Sequence, residues 1–148
     1  MIRVAEAADE PRIRACAEAA YTRYVSVIGR RPAPMDADYA SQIEAGHVHV
    51  AVDLENNILG FVVFYEDQGN VILENVAVFP DAAGRGVGKE LIRFCEMEAR
   101  QRGARTVRLY TNEKMTENLS IYPRLGYVET GRQSEDGFNR VYLEKPLS

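Results

Sequence analysis

The sequence predicts an α+β (mixed α/β) domain. It consists of a central, mostly antiparallel twisted sheet of about seven strands flanked by about four helices, in the order β-α-α-β-β-β-α-β-α-β-β. Three observations predict it. Apolar residues recur at helical spacing in some stretches and alternate in others, and the two patterns interleave along the chain. Three successive strand-like runs, residues 47–54, 58–65 and 71–79, are separated by Glu-Asn-Asn and Asp-Gln-Gly-Asn, turn chemistry that folds them into an antiparallel meander. One helical stretch then links two strand-like runs, which makes a parallel crossover. At 148 residues and 46% hydrophobic content the chain can bury roughly 70% of its unfolded surface in one core, so a single domain over residues 1–148 is expected.

Each element has a local reason. Residues 2–5 alternate and read as a short strand, and residues 8–28 carry Ile13, Cys16, Ala17, Ala20, Tyr24 and Val27 at helical spacing. Gly29 ends that helix. Two prolines make residues 29–35 a loop, after which Asp36 or Asp38 caps a second helix that Gly46 stops. After the meander, Pro80 to Ala83 interrupts the sheet and Gly84 to Gly88 leads into a third helix. Its buried face is Val87, Leu91, Ile92, Cys95 and Ala99, and Gly103 ends it. Residues 106–110 read as a strand and residues 116–124 as a helix whose last turn Pro123 disturbs. Residues 127–132 and 139–145 read as a hairpin turning at Glu-Asp-Gly.

Composition narrows the function classes. Net charge is −4 and the mean hydropathy is −0.29. A general nucleic-acid binder normally carries a basic face, and no apolar run approaches the ~18 residues of a membrane span, so neither partner is expected. The amino-terminal residues lack a basic start followed by an apolar stretch, which predicts a cytoplasmic protein. Cys16 and Cys95 lack metal-ligand spacing and read as buried thiols. His47 and His49 alternate on one strand face without a third ligand and read as solvated or sheet-packed, so no metal is expected. Charge is uneven: residues 1–74 carry a net −6 and residues 75–148 a net +2. The basic residues between Arg85 and Arg108 fit either an anionic ligand or ordinary solvated helix charge.

The most specific local feature is Leu73-Glu-Asn-Val-Ala-Val-Phe-Pro, then Asp-Ala-Ala, then Gly84-Arg-Gly-Val-Gly-Lys-Glu-Leu91. Glycines let a backbone approach a ligand closely, and the first N–H groups of a helix lack internal acceptors at its positive dipole end. A phosphate or diphosphate fits there. Otherwise the glycines only make a tight strand-to-helix turn. A Walker loop fails, because Ala83 stands at its first glycine and Glu90 where a magnesium-binding hydroxyl belongs. A Rossmann fingerprint matches only weakly, since Lys89 occupies the third glycine's place, which disfavours a pyridine-nucleotide enzyme.

The segment resembles the pyrophosphate loop of the GNAT superfamily of N-acetyltransferases, Gln/Arg-x-x-Gly-x-Gly/Ala after a strand ending in proline. Gly86 and Gly88 fill the small positions, and Ala83 departs from the first. Leu119-Ser-Ile-Tyr-Pro-Arg-Leu-Gly-Tyr127 resembles the family's Leu-Tyr-x-x-x-Gly-Phe/Tyr signature, in the family's order. The element order agrees over nearly the whole chain.

That resemblance implies acetyl-coenzyme A as co-substrate and donor and a primary amine as acceptor, joined by direct transfer in a ternary complex. It places the diphosphate on Gly84, Arg85, Gly86, Val87, Gly88 and Lys89. The pantetheine arm falls along Val76, Ala77 and Val78, with the Val76 amide facing the thioester carbonyl. Tyr122 becomes the acid that protonates the departing thiolate, a phenol being neutral at pH 7; its other reading is an aromatic core residue beside Leu119 and Leu125. The amine must lose a proton before it attacks, to a carboxylate or through an ordered water. Glu74, two residues before Val76 and so on the same strand face, is the carboxylate candidate. Asn118, one turn before Tyr122, either contacts the cofactor arm or satisfies a local carbonyl. The acceptor site implied by the family involves Tyr21, Tyr24, the 30–35 loop, Tyr39 and the turn near Phe138. A non-catalytic acyl-coenzyme A sensor of the same fold is the alternative function. Exposed sheet edges leave a homodimer open.

Overall fold

The structure, a computed structural model, describes residues 1–147. Seven strands form one mixed sheet: β1 (Ile2–Val4), β2 (Val48–Val52), β3 (Ile58–Asp67), β4 (Asn70–Val78), β5 (Thr106–Asn112), β6 (Val128–Glu135) and β7 (Phe138–Pro146), in the order β1-β2-β3-β4-β5-β7-β6. The helices are α1 (Glu10–Tyr21), α2 (Val25–Ile28), α3 (Tyr39–Glu44), α4 (Val87–Gln101) and α5 (Thr116–Arg124). The expected meander is β2, β3 and β4. The expected crossover is β4-α4-β5, whose parallel register sets Val71 against Val107 and Ile72 against Arg108. No helix among the described residues is long and apolar enough to cross a membrane.

The chain divides into two compact units, Met1–Phe64 with Asn75–Cys95, and Tyr65–Glu74 with the chain from Glu96 onward. In the first unit, α1 buries Ile13, Cys16, Ala17 and Tyr21. Strand β3 is buried without alternation from Gly60 to Phe64, as expected of a strand covered on both faces. Gly60 has a packing reason: a Cβ there would lie 2.6 Å from the Ala77 carbonyl oxygen and 3.3 Å from Leu91 Cδ1. Full burial of Leu91 contributes on the order of 2 kcal/mol.

The helix expected over residues 8–28 is broken. Thr22–Tyr24 is a 3-10 turn between α1 and α2, and the Thr22 hydroxyl bonds back to the Glu18 carbonyl at 2.5 Å, a competing bond that bends helices. Gly29 then ends α2 in the left-handed region, φ 90°. The proline loop is also more ordered than its composition predicts, because Ala33–Asp36 makes a 3-10 turn that buries Met35. Of the two candidate caps, Asp38 does the capping, its side chain accepting from the Ser41 N–H.

In the second unit β7 lies between β5 and β6, registered antiparallel to both. Pro123 sits inside the last turn of α5, where a 3-10 bond from the Leu125 N–H to the Tyr122 carbonyl, 3.0 Å, closes the helix. Buried Glu96 of α4 accepts from the Tyr127 hydroxyl and from Lys145 Nζ, each at 2.9 Å. That pairing satisfies a carboxylate that would be costly to bury alone.

Candidate functional site

The glycine segment takes the form its sequence requires. Pro80–Ala82 makes one 3-10 turn, Ala83 is extended, and Gly84 and Gly86 stand at φ 81° and 79°, where a side chain costs about 1–2 kcal/mol. A Cβ at either glycine would meet nothing within 4 Å among the described residues, so the demand is conformational and leaves both glycines open to a ligand. Glu90 N–H closes the first bond of α4 onto the Gly86 carbonyl at 3.0 Å. The N–H groups of Val87, Gly88 and Lys89 therefore lie ahead of the helical hydrogen-bond ladder, at the positive end of a fifteen-residue helix. Val87 is buried and anchors the turn, while Gly84, Arg85, Gly86 and Lys89 are exposed. Arg85 reaches back to the Asp81 carbonyl at 3.3 Å, so one cation already sits at this turn. An anion of diphosphate size and charge suits this cradle.

Strand β4 leads into it. Burial alternates from Leu73 to Val78, with Leu73, Asn75 and Ala77 buried and Glu74, Val76 and Val78 half-buried, so the last three share one face of the strand. The Phe79 N–H bonds to the Leu59 carbonyl at 2.9 Å, just past the end of the strand. Val76 lies beyond the Val71 and Ile72 pairs with β5. Its carbonyl oxygen accepts from the Tyr21 hydroxyl at 3.0 Å. Burial pushes the Tyr65 phenol pKa up, and the Glu74 carboxylate adds to the rise.

Tyr122 is a buried ring on α5, in edge contact with Tyr127 at 5.4 Å between centroids. Asn118 is half-buried on the same helix. Its Nδ2 donates to Thr111 Oγ1 at 3.1 Å and lies 3.7 Å from Met115 Sδ. The partner of that amide is thus a hydroxyl and a sulfur rather than a carbonyl.

The acceptor-side residues divide. Tyr21 and Tyr39 are core residues, only 8% and 2% exposed, with hydroxyls committed to the side chain of Asn75. Tyr24 is half-buried beside Arg23, whose guanidinium donates to its hydroxyl at 2.9 Å. The 30–35 loop is braced by Arg31, which pairs with Glu18 and Asp36 at 2.9 and 3.0 Å. Phe138 is buried at the start of β7, with the Arg140 guanidinium 5.8 Å from its ring centre. His49 is sheet-packed, stacked on Phe64 at 5.3 Å. No group of three potential metal ligands occurs among the described residues. The residue that sequence reasoning missed is Asn75. Its signal was a polar side chain in the buried register of β4, between Leu73 and Ala77.

A mixed seven-stranded sheet whose central crossover passes through a glycine turn into the start of α4 defines an α+β domain with a candidate anion cradle at that turn. The sequence profile of the acetyltransferase (GNAT) family matches residues 13–127, and the chain belongs to that family. Among curated relatives it is similar to the aminoalkylphosphonate N-acetyltransferase of Salmonella typhimurium, 29% identical over 62% of this chain and 64% of that protein. The streptothricin acetyltransferase of Streptomyces lavendulae is 26% identical over 66% of this chain and 56% of that protein. The chain thus covers less than two thirds of the length of these relatives. The PaiA N-acetyltransferase of Thermoplasma acidophilum, solved in complex with coenzyme A, superposes with a TM-score of 0.82 over 99% of this chain and 98% of its own, at 16% identity. That likeness is one of fold.

Proposed function

We propose that this chain acts as one N-acetyltransferase domain that moves the acetyl group of acetyl-coenzyme A to a primary amine of a small molecule or peptide by direct attack. The observation that carries the proposal is the exposed turn at Gly84–Gly86 opening onto the leading amides of α4, bordered by Arg85 and Lys89. In this reading the amides of residues 84–89 hold the diphosphate, and β4 from Val76 to Val78 lines the pantetheine arm. The Val76 N–H donates to the thioester carbonyl as negative charge develops on its oxygen. Tyr122 gives its phenolic proton to the departing thiolate, and Glu74 receives the proton the amine must shed, directly or through water. Asn118 contacts the arm through its Oδ1, its Nδ2 being engaged with Thr111.

The test is thiol release from acetyl-coenzyme A in the presence of a panel of small amines, aminoglycoside-like polyamines and peptide N-termini. Transfer to at least one acceptor class, with formation of the acetylated amine, supports the reading. Stabilisation of the protein by acetyl-coenzyme A with no transfer to any acceptor would favour an acyl-coenzyme A sensor. Stabilisation by NAD alone would overturn the ligand assignment.

A further inference from the structure

Beneath β4 lies a buried polar chain that a packing core does not require. Asn75 is 7% exposed, in a register whose neighbours Leu73 and Ala77 are apolar. Both halves of its amide are used: Oδ1 accepts from the Tyr21 hydroxyl at 2.6 Å, and Nδ2 donates to the Tyr39 hydroxyl at 2.8 Å. Tyr39 in turn donates to the Pro34 carbonyl at 2.5 Å, and its ring stands edge-on to Phe61 at 5.3 Å. The Tyr21 hydroxyl lies 3.0 Å from the Val76 carbonyl oxygen, so its one proton is shared between two acceptors on adjacent residues. An apolar side chain at position 75 would fill the same space without this demand. Directional bonds add what dispersion cannot, a fixed orientation of the groups they join.

Those bonds straddle one peptide group. The side chain of Asn75 fixes the residue before the Val76 N–H, and the hydroxyl of Tyr21 fixes the carbonyl after it. We infer that Tyr21 and Asn75 are positioning residues that hold the β4 backbone so that the Val76 N–H points at the reacting carbonyl. The inference rests on the acetyltransferase reading above. Neither side chain touches the reacting atoms; both act through the backbone of residue 76. A donor that must meet a developing oxyanion within a few tenths of an ångström loses its effect when the peptide that carries it rotates.

The test uses Tyr21→Phe, which keeps the ring, and Tyr21→Phe/Asn75→Leu, which replaces both polar partners with apolar groups and so leaves no carboxamide stranded. Two readouts are taken. The first is the Val76 amide resonance in 15N-labelled protein saturated with acetyl-coenzyme A, compared with coenzyme A, which lacks the carbonyl. The second is kcat against the affinity for acetyl-coenzyme A with an accepted amine. In the wild type the Val76 resonance should differ between the two ligands, and in both variants that difference should shrink by half or more. The kcat should fall about tenfold or more in both, with affinity within about twofold, and in the double variant the melting temperature should be nearly held. A purely structural network would instead move the melting temperature and leave kcat alone. Variants that keep both the resonance difference and kcat overturn the inference while the acetyltransferase reading stands. A wild-type Val76 resonance blind to the acetyl group during active transfer overturns the role of Val76, and this inference with it.

Discussion

The glycine cradle can be tested with substitutions that separate charge from strain. Gly86 stands at φ 79° with nothing within 4 Å of where a Cβ would project, so Gly86→Gln adds bulk and about 1–2 kcal/mol of backbone strain without an internal clash. For a chain of this length that strain lowers the melting temperature by a few degrees. Gly86→Glu adds the same bulk and strain plus one negative charge. Two unit charges ~4 Å apart in water interact by about 1 kcal/mol, and a diphosphate presents two, so Gly86→Glu should bind acetyl-coenzyme A about thirtyfold more weakly than Gly86→Gln. Isothermal titration at ~0.1 M and ~1 M salt checks the origin of the gap. With the Debye length falling from about 10 Å to about 3 Å, most of it should close. Equal dissociation constants for the two variants at low salt would remove the diphosphate from this turn.

Other outcomes follow from the same geometry. Tyr122→Phe removes one hydroxyl from a buried ring and should lower kcat by about 100-fold with the acetyl-coenzyme A affinity nearly unchanged, read by steady-state kinetics beside calorimetry; an unchanged kcat refutes the acid role. Lys145→Ala leaves the Glu96 carboxylate, whose side chain is 6% exposed, with only the Tyr127 hydroxyl among the two partners described above. It should cost about 3 kcal/mol, seen as a lower urea midpoint at constant m, and it should be largely rescued by adding Glu96→Gln. Burial pushes the Cys16 thiol from 9.0 up to about 12, so the native state holds a proton that the unfolded chain releases above pH 9. The stability it contributes is complete below pH 9 and is lost as the pH rises toward 12, and Cys16→Ser should flatten that part of the stability profile in urea titrations.

Much of this was legible in the residues. The sheet meander, the β4-α4-β5 crossover and the glycine turn follow from alternation, turn chemistry and the apolar face Val87, Leu91, Ile92, Cys95 and Ala99, because each is a local pattern. Strand periodicity alone also sets Glu74 and Val76 on one face. What was missed is not local. The break at Thr22–Tyr24 depends on whether one hydroxyl turns back on its own helix, and the placing of β7 between β5 and β6 depends on pairings that a hairpin pattern leaves open. The tyrosines show the limit most clearly. Tyr21 and Tyr39 read as aromatic lining for an acceptor because a tyrosine is amphipathic and either end can be the exposed one. Only the third member of the set, Asn75, decides the matter, and it lies 54 residues from Tyr21 and 36 from Tyr39.

That separation bears on how the site is built. If the tyrosines faced an acceptor, their hydroxyls would meet water or substrate, and a polar Asn75 beneath β4 would be an unexplained cost of burial. Turned inward, all three satisfy one another, and the same bonds reach the Val76 carbonyl on one side and the Pro34 carbonyl of the Arg31-braced loop on the other. The first two helical segments and their loop therefore contribute rigidity to β4 through named hydrogen bonds. In the acetyltransferase reading proposed above, selectivity for an acceptor then rests on side chains outside this hydrogen-bonded set.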